Sequence, residues 1–351
     1  MKPRMLQLLR ESRGLSQTKL AQLSGIPQPT LSKAEAGLTE LDRDRQIAVA
    51  DALNYPVDVL DWADEVFGFG SAAFHHRKQQ SLGVTTLQQI HADVNLIRMR
   101  LVRLLRGVEL SPLYRFPSFE VEELGSPAEV ARAVRATWKL PMGPIDSMMR
   151  VLEGAGAIVI RVDLHSHRIS AISTSVPGSP QLFILNEGLS ADRERFTLAH
   201  ELGHLVMHDL PTSPDDAERE ADAFAAEFLM PANEIRSELS AIDLRKAAAL
   251  KRKWKTAMSA LIRRARDLGK IDDSRYKSLN VQMSRQGWLK QEPVQIPREE
   301  PTLVTDVINL HRNEHGYTTE ELAALAGLTP AEYRLMFHDE HGPEKLRLIR
   351  D

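Results

Sequence analysis

The chain contains no cysteine among its 351 residues. Disulfide bridges and thiolate metal sites are therefore excluded, and any bound metal ion must be held by histidine and carboxylate side chains. Apolar runs as long as a membrane-spanning helix, about 18 residues, are also missing from the sequence. The first residues, Met1 to Arg4, do not lead into the apolar segment of a secretion signal, so we expect a cytoplasmic protein with no membrane partner.

Acidic and basic residues nearly balance, with a net charge of −3, but they are unevenly distributed. Residues 1–35 hold six Lys and Arg against two Glu, and residues 251–270 hold eight Lys and Arg against one Asp. Residues 186–235 hold twelve acidic residues against three Arg. The basic segments are suited to contact with nucleic acid. The acidic segment between them is suited to binding a cation. The length and the 42% hydrophobic content are those of a soluble protein with roughly two or three domains.

The most specific motif is H-E-x-x-H, formed by His200, Glu201 and His204 within an apolar-periodic run that predicts a helix. Residues four apart lie on one face of a helix, so both imidazoles can bind a single metal ion. Glu201 lies about 100° further round the helix, beside the ion, where it can take a proton from a metal-bound water. This arrangement is typical of zincin metalloproteases.

A strand and a second helix are expected on either side of this motif. Residues 181–186 predict a strand, and a zincin needs one beside its metal helix because extended substrate adds to the strand's edge. Residues 218–230 predict a helix that ends at Pro231. Within it Glu218 and Asp222 lie four apart, so one can be the third metal ligand while the other accepts the second N–H of a ligand imidazole.

The two helices together resemble the ImmA/IrrE family of metallopeptidases. The resemblance covers roughly residues 140–231 and rests on the run Arg195 to His204 and on Glu218 followed by Ala225 to Pro231. It implies that the protein is a gluzincin-like cytosolic endopeptidase. In this family pattern, His200, His204 and Glu218 would bind Zn²⁺, and Glu201 would be the general base. Proteins of this family often cut a helix-turn-helix repressor to release genes for DNA-damage responses or mobile elements. The resemblance therefore implies a helix-turn-helix repressor as the protein substrate.

Other interpretations of these side chains stay open. Glu220 competes with Glu218 for the third ligand position, although the pairing with Asp222 favours Glu218. A buried helix with two surface histidines and ordinary surface acids is the alternative to a metal site. Tyr276 and His208 are candidates for stabilising the oxyanion.

Residues 1–66 predict a small helical domain. A short helix begins after Ser16, a turn follows at Gly25, and a second helix spans residues 28–35. The pattern S-Q-x-x-L-A-x-x-x-G-I-x-x-x-x-L-S-x-x-E-x-G runs nearly intact through Gly37. This segment resembles the XRE/Cro-type helix-turn-helix DNA-binding domain.

That resemblance implies double-stranded DNA as a partner, with the second helix in the major groove. Gln28, Thr30, Ser32 and Lys33 would face bases and phosphates, and Gln17 would hold the backbone. A helical protein-interaction domain that has lost DNA binding is the alternative.

The middle of the chain predicts a linker, a long helix and an α+β unit. Residues 67–125 contain a linker and an amphipathic helix that could pair two subunits in a homodimer or pack on the protease core. Residues 126–235 predict the metallopeptidase domain, with the order α-α-β-β-β-α-α and strands near 157–162, 169–174 and 181–186.

The C-terminal third predicts further helices. Residues 236–292 form a basic helical extension, in which residues 251–270 are either a nucleic-acid contact or a solvated helix face. Residues 293–301 predict a linker. Residues 302–351 repeat the helix-turn-helix pattern without the polar residues that would contact DNA bases. This difference predicts a module that packs on the protein or binds a partner.

These observations predict a mostly helical α+β protein. It has an all-α helix-turn-helix domain, a zincin-like (gluzincin) metallopeptidase domain and a helical C-terminal region. The leading hypothesis is a cytoplasmic zinc-dependent endopeptidase and DNA-binding regulator. The alternative is a transcription regulator or antitoxin-like protein whose protease-like domain mainly senses a ligand or partner.

Overall fold

The computed structural model describes residues 1–68, 82–207 and 213–337, which form two compact units. The first unit contains the N-terminal residues, a long helix that ends at Leu104 and the residues from Thr302 onward. The second unit runs from Ser111 to Pro301. Within the described ranges, no helix combines the length and the apolar content needed to cross a membrane. The predicted limits of the individual domains stay predictions.

Helices dominate both units. The helices are α1 (Pro3–Ser12), α2 (Gln17–Ser24), α3 (Gln28–Glu35), α4 (Arg43–Leu53), α5 (Val84–Leu104), α6 (Val121–Leu124), α7 (Pro127–Thr137), α8 (Met148–Gly154), α9 (Ala191–Met207), α10 (Pro214–Leu229), α11 (Ala232–Ile235), α12 (Leu244–Trp254), α13 (Met258–Asp267), α14 (Asp273–Arg285), α15 (Leu303–His315), α16 (Thr319–Leu325) and α17 (Pro330–Phe337). The strands are β1 (Ile158–Val162), β2 (Ala171–Thr174) and β3 (Leu182–Asn186), and a 3₁₀ turn spans Val57–Asp61. This is the mostly helical α+β architecture predicted from the sequence.

The turn between α2 and α3 forms as the local sequence predicts. Ser16 caps α2 by accepting a hydrogen bond from the backbone N–H of Lys19. Gly25 ends the helix at a φ of 70°, a left-handed conformation that glycine adopts without a steric penalty. Leu20 and Leu31, one from each helix, are fully buried in the core of the first unit.

Helix α5 packs on α1, an arrangement that the sequence did not predict. Its residues Ala92, Leu96 and Met99 belong to the same apolar core as the N-terminal helices. The apolar positions that suggested subunit pairing, among them Ile90 and Val94, are buried within a single chain. A homodimer stays a prediction, and in this conformation these apolar positions are already covered.

The C-terminal helices α15 to α17 belong to the first unit. A Cβ atom on Gly327 would lie 2.5 Å from the ring of Trp62, so a glycine is required where the tail meets this residue. Glu332 on α17 forms an ion pair with Arg13 at 2.7 Å. Tyr333 is fully buried, so α17 presents part of its surface to the core. The tail is therefore a packing module in its described part, as its lack of polar reading residues predicts.

The second unit contains a three-stranded sheet in the order β1-β3-β2. Strand β1 pairs with β3 in parallel, and β2 pairs with β3 in antiparallel orientation. The predicted order of two helices, three strands and two helices is confirmed by α7 through α10. The predicted substrate-binding edge is wrong, because the strand predicted at 181–186 (β3) is central and both its edges are paired. Strand β2 is the edge strand that contacts α9.

The basic run 251–270 is largely neutralised inside the second unit. Lys251 is buried and pairs with Asp192 and Glu292 at 3.0 and 2.7 Å. Arg264 is buried against Glu227. These contacts favour a structural role for the basic helices over a second nucleic-acid surface.

Residues 293–301, predicted to be a linker, pack on the second unit. The Glu299 carboxylate accepts hydrogen bonds from the Ser147 hydroxyl at 2.9 Å and from the Met149 backbone N–H at 3.1 Å, and it also pairs with Arg195. Arg195 is itself buried. This segment therefore fastens the start of α8 to α9, although it forms neither helix nor strand.

Candidate functional site

Helix α9 places His200, Glu201 and His204 as the motif predicts. The Nε2 atoms of His200 and His204 lie 3.1 Å apart, so the two imidazoles converge on one point. His204 is 2% exposed, and His200 is only partly exposed. The spacing of four residues on a regular helix produces this convergence.

Gly203 allows α10 to approach α9 closely. A Cβ at this position would lie 3.0–3.2 Å from the side chain of Phe224 on α10. A larger residue would require Phe224 or the helix that carries it to shift. Because Glu218 is carried by α10, its distance from the histidines depends on this contact.

Glu218 completes a three-residue cluster. Its Oε1 atom lies 3.6 Å from Nε2 of His200 and 3.4 Å from Nε2 of His204. Among the described residues, these three form the one group of histidines and acids whose ligand atoms all lie within 4.8 Å of one another. Glu220, the competing candidate, is not part of the cluster.

The separations between the ligand atoms of this cluster suit a divalent ion with tetrahedral coordination. Zinc is bound by histidine nitrogen and carboxylate oxygen at about 2.0–2.2 Å, so two ligand atoms of a tetrahedral site lie about 3.3 Å apart. The observed separations of 3.1, 3.4 and 3.6 Å bracket that value. Two imidazoles and one carboxylate also form the donor set of catalytic zinc sites, which keep one position for water or substrate.

Asp222 holds His200 from the other side of the ring. Its Oδ1 accepts a hydrogen bond from Nδ1 of His200 at 2.9 Å, which turns Nε2 toward the cluster. Burial lowers the pKa of His200, but hydrogen bonds with Asp222 and Glu218 outweigh burial and raise the pKa to about 9. The surrounding carboxylates therefore favour positive charge at this point, and a divalent cation would be stabilised by the same groups.

Glu201 is held by a residue that the sequence did not indicate. The Ser173 hydroxyl on β2 donates a hydrogen bond to Oε2 of Glu201 at 2.7 Å, and both side chains are buried. The only local signal for Ser173 is a buried polar residue in a short strand that also contains Thr174. Its position beside Glu201 depends on how β2 packs against α9.

The two oxyanion candidates have different outcomes. Tyr276 lies on α14, where the Arg266 guanidinium stacks on its ring at 4.5 Å. It lines a cavity that also contains Asp222. His208 lies outside the described residues. The role of either residue stays a prediction.

The predicted DNA-contacting residues share one end of the first unit. Gln28 donates a hydrogen bond to Gln17 at 2.8 Å, and Gln17 donates one to Glu35 at 2.8 Å. Glu35 is in turn bound by both Nε and Nη2 of Arg10, at 2.6 and 2.9 Å. This chain of contacts ties the starts of α2 and α3 to α1.

The outer surface of α3 carries the remaining candidates. Lys33 is exposed, while Thr30 and Ser32 are half-buried. Leu31 and Ala34 point into the core, so Ser32 and Lys33 lie toward solvent.

Two family models match parts of this chain. Residues 152–266 match the M78 peptidase family, described as the IrrE N-terminal-like domain. Residues 6–60 match a helix-turn-helix family. The chain joins a peptidase-type domain to a helix-turn-helix domain. Comparison of the chain with curated proteins gives no match.

The matched ranges agree with the two sites. The peptidase match contains His200, Glu201, His204 and Glu218, and the helix-turn-helix match contains α2 and α3. In general terms the matches support a protease that is also a DNA-binding regulator. The predicted fusion of an ImmA/IrrE-like domain to an XRE-type domain is confirmed.

Proposed function

We propose that this protein is a zinc-dependent endopeptidase that cleaves a helix-turn-helix repressor and thereby controls transcription. The observation that carries the proposal is the convergence of His200, His204 and Glu218 on one point beside Glu201. The match to a metallopeptidase family supports the reaction class. A repressor as substrate rests on the resemblance to ImmA/IrrE proteins, together with the helix-turn-helix domain in the same chain.

The side chains around the site have distinct roles in this proposal. A zinc ion held by His200, His204 and Glu218 supplies Lewis acidity, acidifying water and polarising the scissile carbonyl. Glu201 takes the proton of the attacking water and delivers it to the leaving amine. Ser173 holds one oxygen of Glu201, so that the carboxylate keeps a single orientation during both transfers.

The proposed substrate binds in extended form along β2. Strand β2 is an edge strand of the sheet, contacts α9 and carries Ser173, which touches Glu201. Main-chain hydrogen bonds to such an edge tolerate many side chains. Selection of the substrate must therefore come from side-chain pockets and from surfaces outside the cleft.

The helix-turn-helix domain is proposed to read duplex DNA through Gln28, Thr30 and Ser32. The contacts of Gln28 with Gln17 support this assignment, because they orient both side chains at the start of their helices. The alternative, in which the peptidase domain mainly senses a ligand or partner, does not require a general base. A buried and oriented Glu201 therefore favours an active enzyme.

Metal content and cleavage test the proposal together. Purified wild-type protein should contain about one zinc ion per chain and cut a candidate helix-turn-helix repressor. Glu201→Gln should keep the zinc and lose at least ~10²-fold in cleavage rate, because the general base is gone. His204→Ala should lose both zinc and cleavage.

His167→Ala is the control, since His167 is an exposed histidine outside the cluster. It should match wild type in both measurements. A wild-type protein that binds no divalent metal would contradict the metal site. A Glu201→Gln variant that cleaves at the wild-type rate would place the base elsewhere.

A further inference from the structure

A cavity of about 640 Å³ lies against the N-terminal half of α9. This volume is within the range of ligand pockets, about 300–1,000 Å³. Its walls come from α9, the C-terminal part of α10, and helices α13 and α14. Five of the wall residues are alanines, and their small side chains leave the space open; they are Ala128, Ala223, Ala226, Ala257 and Ala260.

The cavity adjoins the metal cluster through Asp222. This residue is part of the cavity wall, and it also accepts the hydrogen bond from His200. Thr197, another wall residue, lies one turn of α9 before His200. The cavity and the cluster therefore share Asp222 and adjoin along α9.

The cavity also adjoins the start of the edge strand β2. Ser170, directly before β2, lines the cavity, and Ser173 contacts Glu201. Three residues of a strand span about 10 Å. Arg193 of α9 lines the cavity, and the eight steps along the helix from Arg193 to Glu201 span about 12 Å. The distance from the cavity to the general base is therefore similar along β2 and along α9.

A peptide paired along β2 with its scissile bond at Glu201 would reach the cavity about three residues from that bond. Side chains on a strand alternate between its faces, so one or two substrate residues can enter from this position. The occupant that this continuity favours is a side chain of the substrate itself.

The cavity wall combines apolar residues with charged ones, and apolar surface makes up the larger part. Phe196 and Met230 line it together with the alanines. At its rim Arg263 lies 3.9 Å from both Asp222 and Asp267, so these charges face each other. The wall residue Arg264 forms an ion pair with the buried Glu227. Most charged wall residues are already paired within the chain, among them Asp192 with Lys251 and Arg219 with Asp216, so an apolar side chain would gain more by burying its surface here than a charged one.

We propose that this cavity is the subsite that selects a large apolar substrate residue, Leu, Met or Phe, two to four positions from the cleaved bond. The inference rests on the proposed peptidase activity and adds the class of side chain that the enzyme prefers. Ala260 is the position from which a larger side chain would fill the space, because it lines the wall on α13, a helix that contributes no residue to the metal cluster.

The test is cleavage of a peptide library by the zinc-loaded full-length protein. Wild type should show enrichment of Leu, Met and Phe at one position within four residues of the cut. Ala260→Trp should lower kcat/KM for peptides with those residues by about 10-fold or more, the scale on which apolar pockets discriminate. Peptides with Gly or Ala at that position should change by less than about twofold. Ala260→Leu fills less of the cavity and should give an intermediate decrease in kcat/KM for the same peptides. This variant serves as the test if Ala260→Trp folds poorly.

Ala249→Trp is the matched control, because Ala249 is an exposed alanine on α12 outside the cavity. It should behave as wild type. Cleavage without preference at any nearby position, or equal losses for large and small residues in Ala260→Leu, would overturn the subsite and leave the peptidase standing. Complete absence of cleavage by wild type would overturn both proposals.

Discussion

Single residues that carry no chemistry set how closely the two helices of the metal cluster pack. Gly203 is the clearest case, because even a methyl group there would meet the ring of Phe224. Glu218 reaches the histidines only because α10 lies this close to α9. The H-E-x-x-H motif leaves its fourth position open, so the glycine is a requirement of packing between helices and not of the motif itself.

Two residues of α3 should have different effects on DNA binding. Gln28→Ala in the full-length protein should reduce discrimination at one base pair by about 1–3 kcal/mol, because a side chain that contacts a base edge is lost. Lys33→Ala should weaken binding to all sequences about equally and reduce the slope of log affinity against log salt by about one. Fluorescence anisotropy with a panel of duplexes at several salt concentrations measures both effects. A uniform loss in Gln28→Ala would show that this side chain contacts only the backbone or the protein.

At the scale of helices and strands, Glu227 connects α10 to three other helices of the peptidase domain. Its carboxylate accepts hydrogen bonds from Arg132 on α7 at 2.8 Å, from the Ala232 backbone N–H at 3.1 Å, and from Arg264 on α13. Glu227 is 1% exposed. Burial raises the pKa of this carboxyl, but the bonds from Arg132 and the charge of Arg264 outweigh burial and leave it below its ordinary value.

Glu227→Gln should therefore destabilise the peptidase domain in a pH-dependent way. The folded-state pKa lies below the unfolded one, so the ionised carboxylate stabilises the fold above the unfolded pKa of about 4.3. That contribution is lost as pH falls through the folded pKa. At pH 7 the variant should lose about 3 kcal/mol in free energy of unfolding, because the buried Arg264 guanidinium loses its countercharge and the partly exposed Arg132 loses one of its partners. Below pH 4 its difference from wild type should shrink.

Urea denaturation between pH 3 and pH 8 measures this effect, with Glu129→Gln as the control. Glu129 also pairs with Arg132 but is 49% exposed, so its loss should cost less than about 1 kcal/mol. Equal losses in the two variants would mean that burial of Glu227 contributes nothing beyond an ordinary surface ion pair.

At the scale of the whole molecule, the tail returns to the N-terminal unit. Gly327 meets Trp62, and Glu332 pairs with Arg13, so the described C-terminal helices complete the unit that contains the helix-turn-helix domain. In contrast, residues up to Pro301 belong to the peptidase unit. The chain therefore leaves the first unit after Leu110 and re-enters it at Thr302.

Deletion of residues 302–351 should separate recognition from catalysis. The described tail contributes no residue to the metal cluster, so cleavage of a short peptide spanning the cut site should stay within about twofold of wild type. Cleavage of the folded repressor should fall by about tenfold or more, because the first unit, which offers a surface outside the cleft for docking, loses the helices that complete it. Initial rates on the two substrates measure the difference, and equal losses on both would mean that the tail supports the active site's fold and selects nothing.

Much of the candidate site followed from the sequence by itself. The absence of cysteine restricted any metal site to histidine and carboxylate ligands. The spacing of His200 and His204, the cap at Ser16 and the turn at Gly25 are local features. Their geometry depends on neighbouring residues of the chain and not on distant ones. The order of helices and strands in the peptidase domain followed from the same local periodicities.

Tertiary structure alone decided which distant residues meet. The position of β3 in the centre of the sheet, the bond from Ser173 to Glu201 and the burial of Lys251 all join segments far apart in the chain. Local periodicity shows which face of an element is apolar but not which partner covers it. Strand order and the register of α10 on α9 depend on packing across the whole domain, because close-packed interiors allow few arrangements of a given set of side chains.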